Sequence, residues 1–508
     1  MRLNQLLKHL TYEHVQGSQS REITDICYHS GNVREGSLFV CLKGLHNDGH
    51  DYLQGALEAG AAAVVVAAEN VVPLDNDALL YTEQFGVRIS EVIDRWQVSV
   101  VIAADTRHAL AELAAAFFDY PAEKLFTIGI TGTKGKTTTT FMVRDILEAC
   151  NIKTGLIGTI ETIIGDTHIP SANTTPESYM VQKYFRDMAD AGCRCVVMEV
   201  SSQALMLHRT AGIMFDIGVF TNLEPDHIGP NEHSSFEEYA ACKGKLFRQC
   251  RTGIVNMDSE HAGLVLEGHT CSIETYGLKN TADLYADNII YEHKNGHITT
   301  SYDVKGSKNM HVKLRLPGEF SVYNSLCAIA VTEHLDVDDG LLEKALYNVK
   351  VPGRVEPVKI SDDFTVMVDY AHNAMSLESL LKTLREYNPH RIVTVFGCGG
   401  NRSRQRRFEM GEISGKMSDF TVITSDNPRN EEPDMIMQDI ETGIAKTAGR
   451  YVKIADRAEA IKYAVDNAEK GDIIVVAGKG HEDYQEIKGV KYHMSDRELI
   501  LKAAGKMN

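Results

Sequence analysis

The stretch "LFTIGITGTKGKTTTTFMVRDILEACNIKTGLIG", residues 125–158, constrains the fold most. It reads as an apolar strand, a glycine-rich loop, a helix and a second strand, which is a βαβ unit. Two strands joined through a helix run parallel, so the chain must build an α/β sheet covered by helices. The loop "TGTKGKTT", residues 131–138, has the composition of a phosphate cradle. Gly132 and Gly135 let backbone N–H groups approach phosphate oxygens. Lys136 can reach the terminal phosphates, and the Thr137 hydroxyl can ligate Mg²⁺. Thr133, Lys134 and Thr138 complete the expected ATP-binding stretch. The strict spacing asks for glycine at 130, where this chain has Ile130 with Gly129 just before it.

Other segments set the organisation. At 508 residues the chain has length for about three domains. Up to about residue 105, short strands such as "GSLFVCLKG" mix with an alanine-rich, helix-like stretch, "YLQGALEAGAAAVVV". Apolar strands follow the βαβ unit at "CVVMEV" and "DIGVFTN", and alternation in "ITTSYDVKG" and "MHVKLRL" predicts antiparallel strands. "VPGRVEPV", residues 351–358, carries Pro and Gly without periodicity and reads as a linker. Beyond it, "FTVMVDY", "RIVTVFG", "FTVITS" and "DIIVVAG" alternate with helices as a second doubly wound unit. The loops "DYAHN", "GCGGNR", "SDNPR" and "GKGHE" all follow strands, so they should converge at the carboxyl edge of one sheet. The expected segments are residues 1–107, 108–350 and 351–508, all α/β.

Between the phosphate loop and the linker lie candidate metal and catalytic groups. Glu199 ends the strand "CVVMEV", where a carboxylate can reach a metal beside phosphates. Asp226 and His227 follow in "TNLEPDHIG", and Lys243 lies on a helix-like "SFEEYAACKGKLF". Singly, each has a structural explanation; their order after the phosphate loop favours a shared role.

Composition excludes some partners. Lys and Arg total 52 against 70 Asp and Glu, a net charge of −18, which disfavours nucleic acid or an anionic membrane. No apolar run approaches a membrane span, and "MRLNQLLKHLTYEHV" lacks a signal-peptide core. Ten scattered cysteines, without zinc spacing, read as reduced thiols in a cytoplasmic protein.

The motifs "GITGTKGKTTT", "ANTTPES", "MEVSSQAL", "FTNLEPDH", "YAACKGKLF", "GEFSVYNSLCA", "VPGRVE", "VDYAHN", "GCGGNR", "SDNPR" and "AGKGHED" occur in one order through nearly the whole chain. On them the sequence resembles the Mur ligases, specifically the UDP-N-acetylmuramoyl-tripeptide synthetases of the meso-diaminopimelate-adding type. The resemblance implies an ATP-dependent ligase of cytoplasmic peptidoglycan precursor synthesis, monomeric by family default. Its substrates would be UDP-N-acetylmuramoyl-L-Ala-D-Glu and meso-diaminopimelate, joined through an acyl phosphate. It implies catalytic roles for Lys136, Glu199, His227 and Lys243. Lys243 would be a CO₂-derived carbamate, joining Thr137, Glu199 and His227 around Mg²⁺; an unmodified ammonium would repel the metal. Asn324, Arg354, Asp369 and His372 would contact ATP.

By the same resemblance, Ser30, Leu45, His46 and Asn47 would hold the uridine side. Asn173, Thr174, Thr175, Ser201 and Arg209 would hold the muramoyl peptide. Several positions depart from the family pattern. His29 and Gly31 replace an Asp and an Arg around Ser30, Gln203 stands where His is usual, and Ser321 where Asn is usual. Arg402, Asp426, Asn427, Pro428, Arg429, Gly478 and Glu482 would bind diaminopimelate, although Asn401 replaces the usual Asp.

Arg429 is the expected selector. Lysine lacks the distal carboxylate that an arginine fork grips, a charge-assisted contact of about 1.5–3 kcal/mol. A site built for such a group rejects an analogue lacking it by about 10⁴. Pro428 fixes its own φ and biases Asn427 towards extended backbone, which stiffens the loop. The structural alternative is a surface ion pair of Arg429 with Glu431 or Glu432. Three functional alternatives remain at the level of sequence: a ligase that adds lysine or another diamino acid, a folylpolyglutamate synthetase, and a non-catalytic UDP-muramoyl-binding paralogue.

Overall fold

A computed structural model describes all residues except 46, 75, 76, 82–85, 227, 230, 231 and 508. The expected contacts His46 and His227 therefore lie outside the described residues. The chain divides into two compact units, Met1–Lys136 with Asn151–Glu274, and Thr137–Cys150 with Thr275–Asn508. The boundary expected at 107/108 falls inside the first unit and that at 350/351 inside the second.

In the first unit, strands β1 (His14–Gln16), β2 (Asp25–Cys27), β3 (Ser37–Val40) and β4 (Ala63–Ala67) precede a small antiparallel sheet of β5 (Val71–Leu74), β6 (Asp77–Tyr81) and β7 (Gly86–Arg88). Strand β8 (Ser99–Ala103) completes a five-stranded sheet in the order β1-β8-β4-β3-β2. Here one expectation is corrected. The helix in the alanine-rich stretch ends at Glu58, and "AVVVA" is the central strand β4. Gly60, at φ 96°, breaks the helix, and three consecutive β-branched valines prefer the pleated sheet. Val64, Val65 and Val66 are fully buried, each worth about 1.5–3 kcal/mol.

The same unit continues with β9 (Phe126–Thr131), β10 (Thr154–Ile157), β11 (Glu161–Ile164), β12 (Thr167–Pro170), β13 (Cys195–Glu199), β14 (Phe215–Phe220) and β15 (Cys250–Asn256). They lie in the order β12-β11-β10-β13-β9-β14-β15. β10, β13, β9, β14 and β15 are mutually parallel, as the βαβ reading requires. Their carboxyl ends place the phosphate loop, Glu199 and Thr221 along one edge.

Strand β16 (Ser272–Gly277) carries the chain onward. β17 (Leu284–Lys294), β18 (His297–Gly306) and β19 (Met310–Leu314) then form the expected antiparallel meander. The second unit continues with β20 (Glu356–Pro357), β21 (Thr365–Asp369), β22 (Ile392–Phe396), β23 (Phe420–Ile423), β24 (Tyr451–Lys453) and β25 (Ile473–Ala477). The sheet order is β20-β21-β25-β22-β23-β24, parallel from β21 to β24. A hairpin of β26 (Tyr484–Ile487) and β27 (Val490–His493) follows. The linker reading of "VPGRVEPV" is also corrected. Val351 and Val355 are buried, β20 pairs with β21, and Gly353 packs against the backbone of Gly480 and His481. Two apolar side chains and a tight glycine dock the segment, and its lack of periodicity concealed this.

Candidate active site

The phosphate loop is held from one side by the segment after β14. The Thr133 amide donates to the Asn222 carbonyl at 2.9 Å, and the Lys134 amide to Asn222 Oδ1 at 2.8 Å. Thr221 Oγ1 donates to the Lys134 carbonyl at 2.6 Å. Gly132 sits at φ 149°, and a Cβ there would lie 1.9 Å from Thr221 Oγ1, so only glycine fits. The helix Lys136–Ala149 opens directly from the loop, and a helix N-terminus favours anions. Thr137 is buried in its first turn and Thr138 half-buried.

Two lysines meet at this loop. Lys136 Nζ donates to the carbonyl of Gly132 at 2.8 Å and that of Thr133 at 3.1 Å. Lys243 Nζ donates to the same Gly132 carbonyl at 2.9 Å and lies 4.4 Å above the Tyr239 ring. Its helix, Phe236–Gly244, is capped by Ser235, whose hydroxyl accepts from the Glu238 amide. Burial, then repulsion from Lys136, holds the Lys243 amine well below its ordinary pKa, with Asp226 opposing. Burial likewise pushes the Tyr239 phenol up to about 12, so it remains an O–H group, 3.0 Å from Thr133 Oγ1.

Glu199 is buried at the end of β13 and accepts from the Thr159 amide at 2.7 Å and its hydroxyl at 3.1 Å. Gly158 allows that approach, since a Cβ there would lie 2.5 Å from Glu199 Oε1. Around it the predicted peptide-side residues come together. Thr174 Oγ1 lies 3.0 Å from Thr159 Oγ1, and Thr175 Oγ1 donates to the Glu199 carbonyl at 2.8 Å. The Ser201 amide donates to Thr175 Oγ1 at 3.1 Å, while Ser201 caps the helix Ser202–Met206. Arg209 Nη1 donates to the Thr175 carbonyl at 3.0 Å. Asn173 is exposed beside them. Arg107 bridges Glu177 at 3.1 Å and the Lys43 carbonyl at 2.9 Å, tying in the loop of Leu45 and Asn47, both exposed. In the altered "YHSG" turn, His29 Nδ1 accepts from the Gly31 amide at 3.3 Å, the capping role an aspartate would take. Ser30 is half-buried there.

In the second unit, Thr139 Oγ1 donates to Asn324 Oδ1 at 3.3 Å on the buried helix Glu319–Thr332. Arg354 stacks 4.5 Å from the Tyr370 ring. Asp369 accepts from the amides of Val355 and Ala371, each at 2.8 Å. The His372 ring nitrogen Nδ1 lies 2.8 Å from the Tyr370 carbonyl. Burial, then Arg354, lowers the neighbouring His481 to about 4, so that imidazole is neutral at neutral pH.

The four C-terminal loops converge as their places after β21, β22, β23 and β25 require. The Gly400 amide donates to the Asn427 carbonyl at 2.9 Å. Asn427 Nδ2 donates to Glu482 Oε2 at 2.8 Å, and Lys479 Nζ donates to Asn427 Oδ1 at 3.1 Å. Asp426 and Pro428 are buried, and Gly478, at φ 111°, faces Asp426 Oδ2. Arg429 does not pair with Glu431 or Glu432. Its Nε donates to Glu486 at 3.1 Å and its Nη1 to the Gly400 carbonyl at 2.8 Å. Glu431 instead accepts from Arg407 at 2.7 Å and from the Asn401 amide. Arg402 is exposed.

Sequence reasoning missed Thr159, Tyr239, Arg107, Arg407, Lys479 and Glu486. Lys479 lay inside the "GKGHE" loop and Tyr239 inside the "YAACKGKLF" motif it singled out; the others are brought in only by the fold. Among the described residues, no three His, Cys, Asp or Glu side chains gather to hold a metal ion. Among them also, no helix is long and apolar enough to cross a membrane.

A glycine-rich phosphate loop on one parallel sheet, followed by a second doubly wound sheet with clustered loops, defines a Mur-type ligase. Residues 22–118 match the Mur ligase family catalytic domain, 130–332 the Mur ligase middle domain, and 353–480 the Mur ligase glutamate ligase domain. The chain belongs to the Mur ligase family. Its full-length relatives are more particular. The UDP-N-acetylmuramoyl-L-alanyl-D-glutamate--2,6-diaminopimelate ligase of Caldanaerobacter subterraneus subsp. tengcongensis is 41% identical over 98% of both chains. The second such ligase of Clostridium acetobutylicum is 39% identical over 99% of this chain and 100% of its own. A solved structure of a ligase of that name matches with a TM-score of 0.71 at 27% identity, covering 99% of each chain.

Proposed function

We propose that the chain uses ATP to join meso-2,6-diaminopimelate to UDP-N-acetylmuramoyl-L-alanyl-D-glutamate, as a cytoplasmic monomer of three segments, residues 1–107, 108–350 and 351–508. The observation that carries the ligase reading is the phosphate loop, with Lys136 and Lys243 sharing the Gly132 carbonyl. The names of the relatives above support the choice of substrates.

The peptide carboxylate is an anion that must meet a polyanion, so positive charge has to gather at the transferring phosphoryl group. Lys136 supplies one such charge, and backbone amides of Gly132–Thr138 orient the phosphates. Lys243 fits the carbamate: a buried amine held neutral can take up CO₂, whereas an ammonium cannot. Carbamylated Lys243, with Thr137, Glu199 and His227, would hold Mg²⁺, which would supply charge neutralisation when bound. Thr159 fixes the Glu199 carboxylate for that task. Asn324, Arg354, Asp369 and His372 are proposed for the nucleotide. Ser30, Leu45, His46 and Asn47 are proposed for uridine, and Asn173, Thr174, Thr175, Ser201 and Arg209 for the peptide. The peptide carboxylate attacks the γ-phosphorus of ATP and expels ADP; the incoming amine then attacks the acyl carbon of the resulting acyl phosphate, gives up a proton and expels phosphate. Arg429 and Arg402 would take the distal carboxylate of the diamino acid and Glu482 its ammonium, on a floor made by Asp426, Asn427, Pro428 and Gly478.

The test is a phosphate-release assay with the UDP-dipeptide fixed and a panel of amino acids. Release with meso-diaminopimelate alone supports the reading. Release with L-lysine but not diaminopimelate would remove the specificity and keep the ligase. No ATP consumption with any amine would remove both.

A further inference from the structure

Two of the charged side chains proposed to face the amino acid, Glu482 and Arg429, already have partners of opposite sign, and the two pairs differ in burial. Lys479 is fully buried and sits 3.3 Å from Glu482, 3.1 Å from Asn427 Oδ1 and over the Tyr484 ring. Breaking that pair would strand a buried ammonium, so it is a fixed part of the site. Arg429 and Glu486, 3.1 Å apart, are each about a quarter exposed, at 24% and 27%. Water reaches this pair, and it can exchange partners.

The ion pair is not what holds the loop. The Arg429 amide donates to the Glu486 carbonyl at 3.0 Å, and the Lys488 amide donates to the Arg429 carbonyl at 2.8 Å. These main-chain bonds seat Arg429, at φ 52°, against β26 whatever the side chains do. The Glu486 amide is itself anchored on Asn427 Oδ1 at 2.9 Å. A guanidinium has five N–H donors. Glu486 takes Nε and the Gly400 carbonyl takes one on Nη1, which leaves three N–H groups, two of them on Nη2, for a second carboxylate. Two carboxylates on one guanidinium repel each other, so each weakens the other's hold.

We propose that Glu486 is a specificity-determining residue: its carboxylate competes with the distal carboxylate of the substrate for Arg429 and so sets the affinity of that subsite. This rests on the reading of Arg429 as the carboxylate contact. Glu486→Gln keeps the shape and removes the charge. It should lower KM for meso-diaminopimelate by about two- to fivefold, the scale of a partly screened charge pair, without a parallel rise in kcat/KM for L-lysine. Glu486→Thr should shift KM in the same direction. An unchanged or higher KM for meso-diaminopimelate in both variants, or an equal gain for lysine, overturns the proposal. Arg429→Met separates the two layers. If it raises KM for meso-diaminopimelate at least tenfold while the Glu486 variants leave it unchanged, only the role of Glu486 falls. If Arg429→Met leaves KM unchanged, the reading of Arg429 falls and the role of Glu486 with it.

Discussion

Lys243 Nζ donates to the carbonyl oxygen of Gly132 at 2.9 Å, deep beneath a loop that also seats the Lys136 ammonium. Two cations on one carbonyl repel, and burial adds to the depression of the Lys243 amine. Lys243→Arg tests what that neutrality is for. Arginine stays protonated and cannot take up CO₂. Turnover should fall about 10²-fold or more in the phosphate-release assay. Wild-type activity should drop in CO₂-depleted buffer and return with bicarbonate, while the variant responds to neither.

Arg407 holds two site loops from below. Its guanidinium is buried at 2% exposure and donates to Glu431 at 2.7 Å and Asp439 at 3.1 Å. Glu431 in turn receives the Asn401 amide, which joins the "GCGGN" loop to the "SDNPRNEE" loop. Arg407→Met takes one partner from each carboxylate, leaving Glu431 with the Asn401 amide and Asp439 with Arg404. The expected loss is about 1.5–3 kcal/mol, read as a lower denaturant midpoint with unchanged m-value. A rise in KM for the diamino acid should accompany it at temperatures where the variant is folded.

The sequence made the strands after the phosphate loop and after residue 358 legible because parallel strands are continuous apolar runs, as in "DIIVVAG". The phosphate loop was legible because Gly132 and Gly135 adopt backbone that other residues rarely do. "GAAAVVV" misled because alanine speaks for helix while the valines after Gly60 decide for strand. The partners of Arg429 and Glu199 were hidden for another reason. Glu486 lies 57 residues from Arg429 and Thr159 lies 40 from Glu199, and no periodicity connects such pairs. Local charge near Arg429 pointed to Glu431, which the fold gives to Arg407 instead.

Acid should loosen the same region. Hydrogen bonds from Arg407 and then the Asn401 amide hold Glu431 below the usual carboxylate range. Arg404 first, and Arg407 against the opposing effect of burial, do so for Asp439. Groups whose folded pKa is depressed stabilise the fold fully above the unfolded value, near pH 4 to 4.5. That stabilisation is lost as pH falls through the lower folded values, because the unfolded chain binds the protons first. The thermal midpoint should therefore decline below about pH 4.5. Glu431→Gln and Asp439→Asn should each start lower at neutral pH and decline less steeply.

Gly353 tests whether "VPGR" is a packed element. Its φ is 64°, and a Cβ there would lie 2.0 Å from the His481 amide nitrogen and 2.2 Å from the Gly480 carbonyl carbon. Both obstacles are backbone, so no rotamer change can relieve the clash. Gly353→Ala must shift either the "VPGR" segment or the "GKGHE" loop, at a cost of at least about 2 kcal/mol. Either shift displaces Arg354 from the Tyr370 ring or Glu482 from Asn427. The variant should therefore show both a lowered denaturant midpoint and a raised KM for ATP or for the diamino acid. A freely moving linker would tolerate the methyl group, and wild-type values on all three measurements would restore that simpler picture.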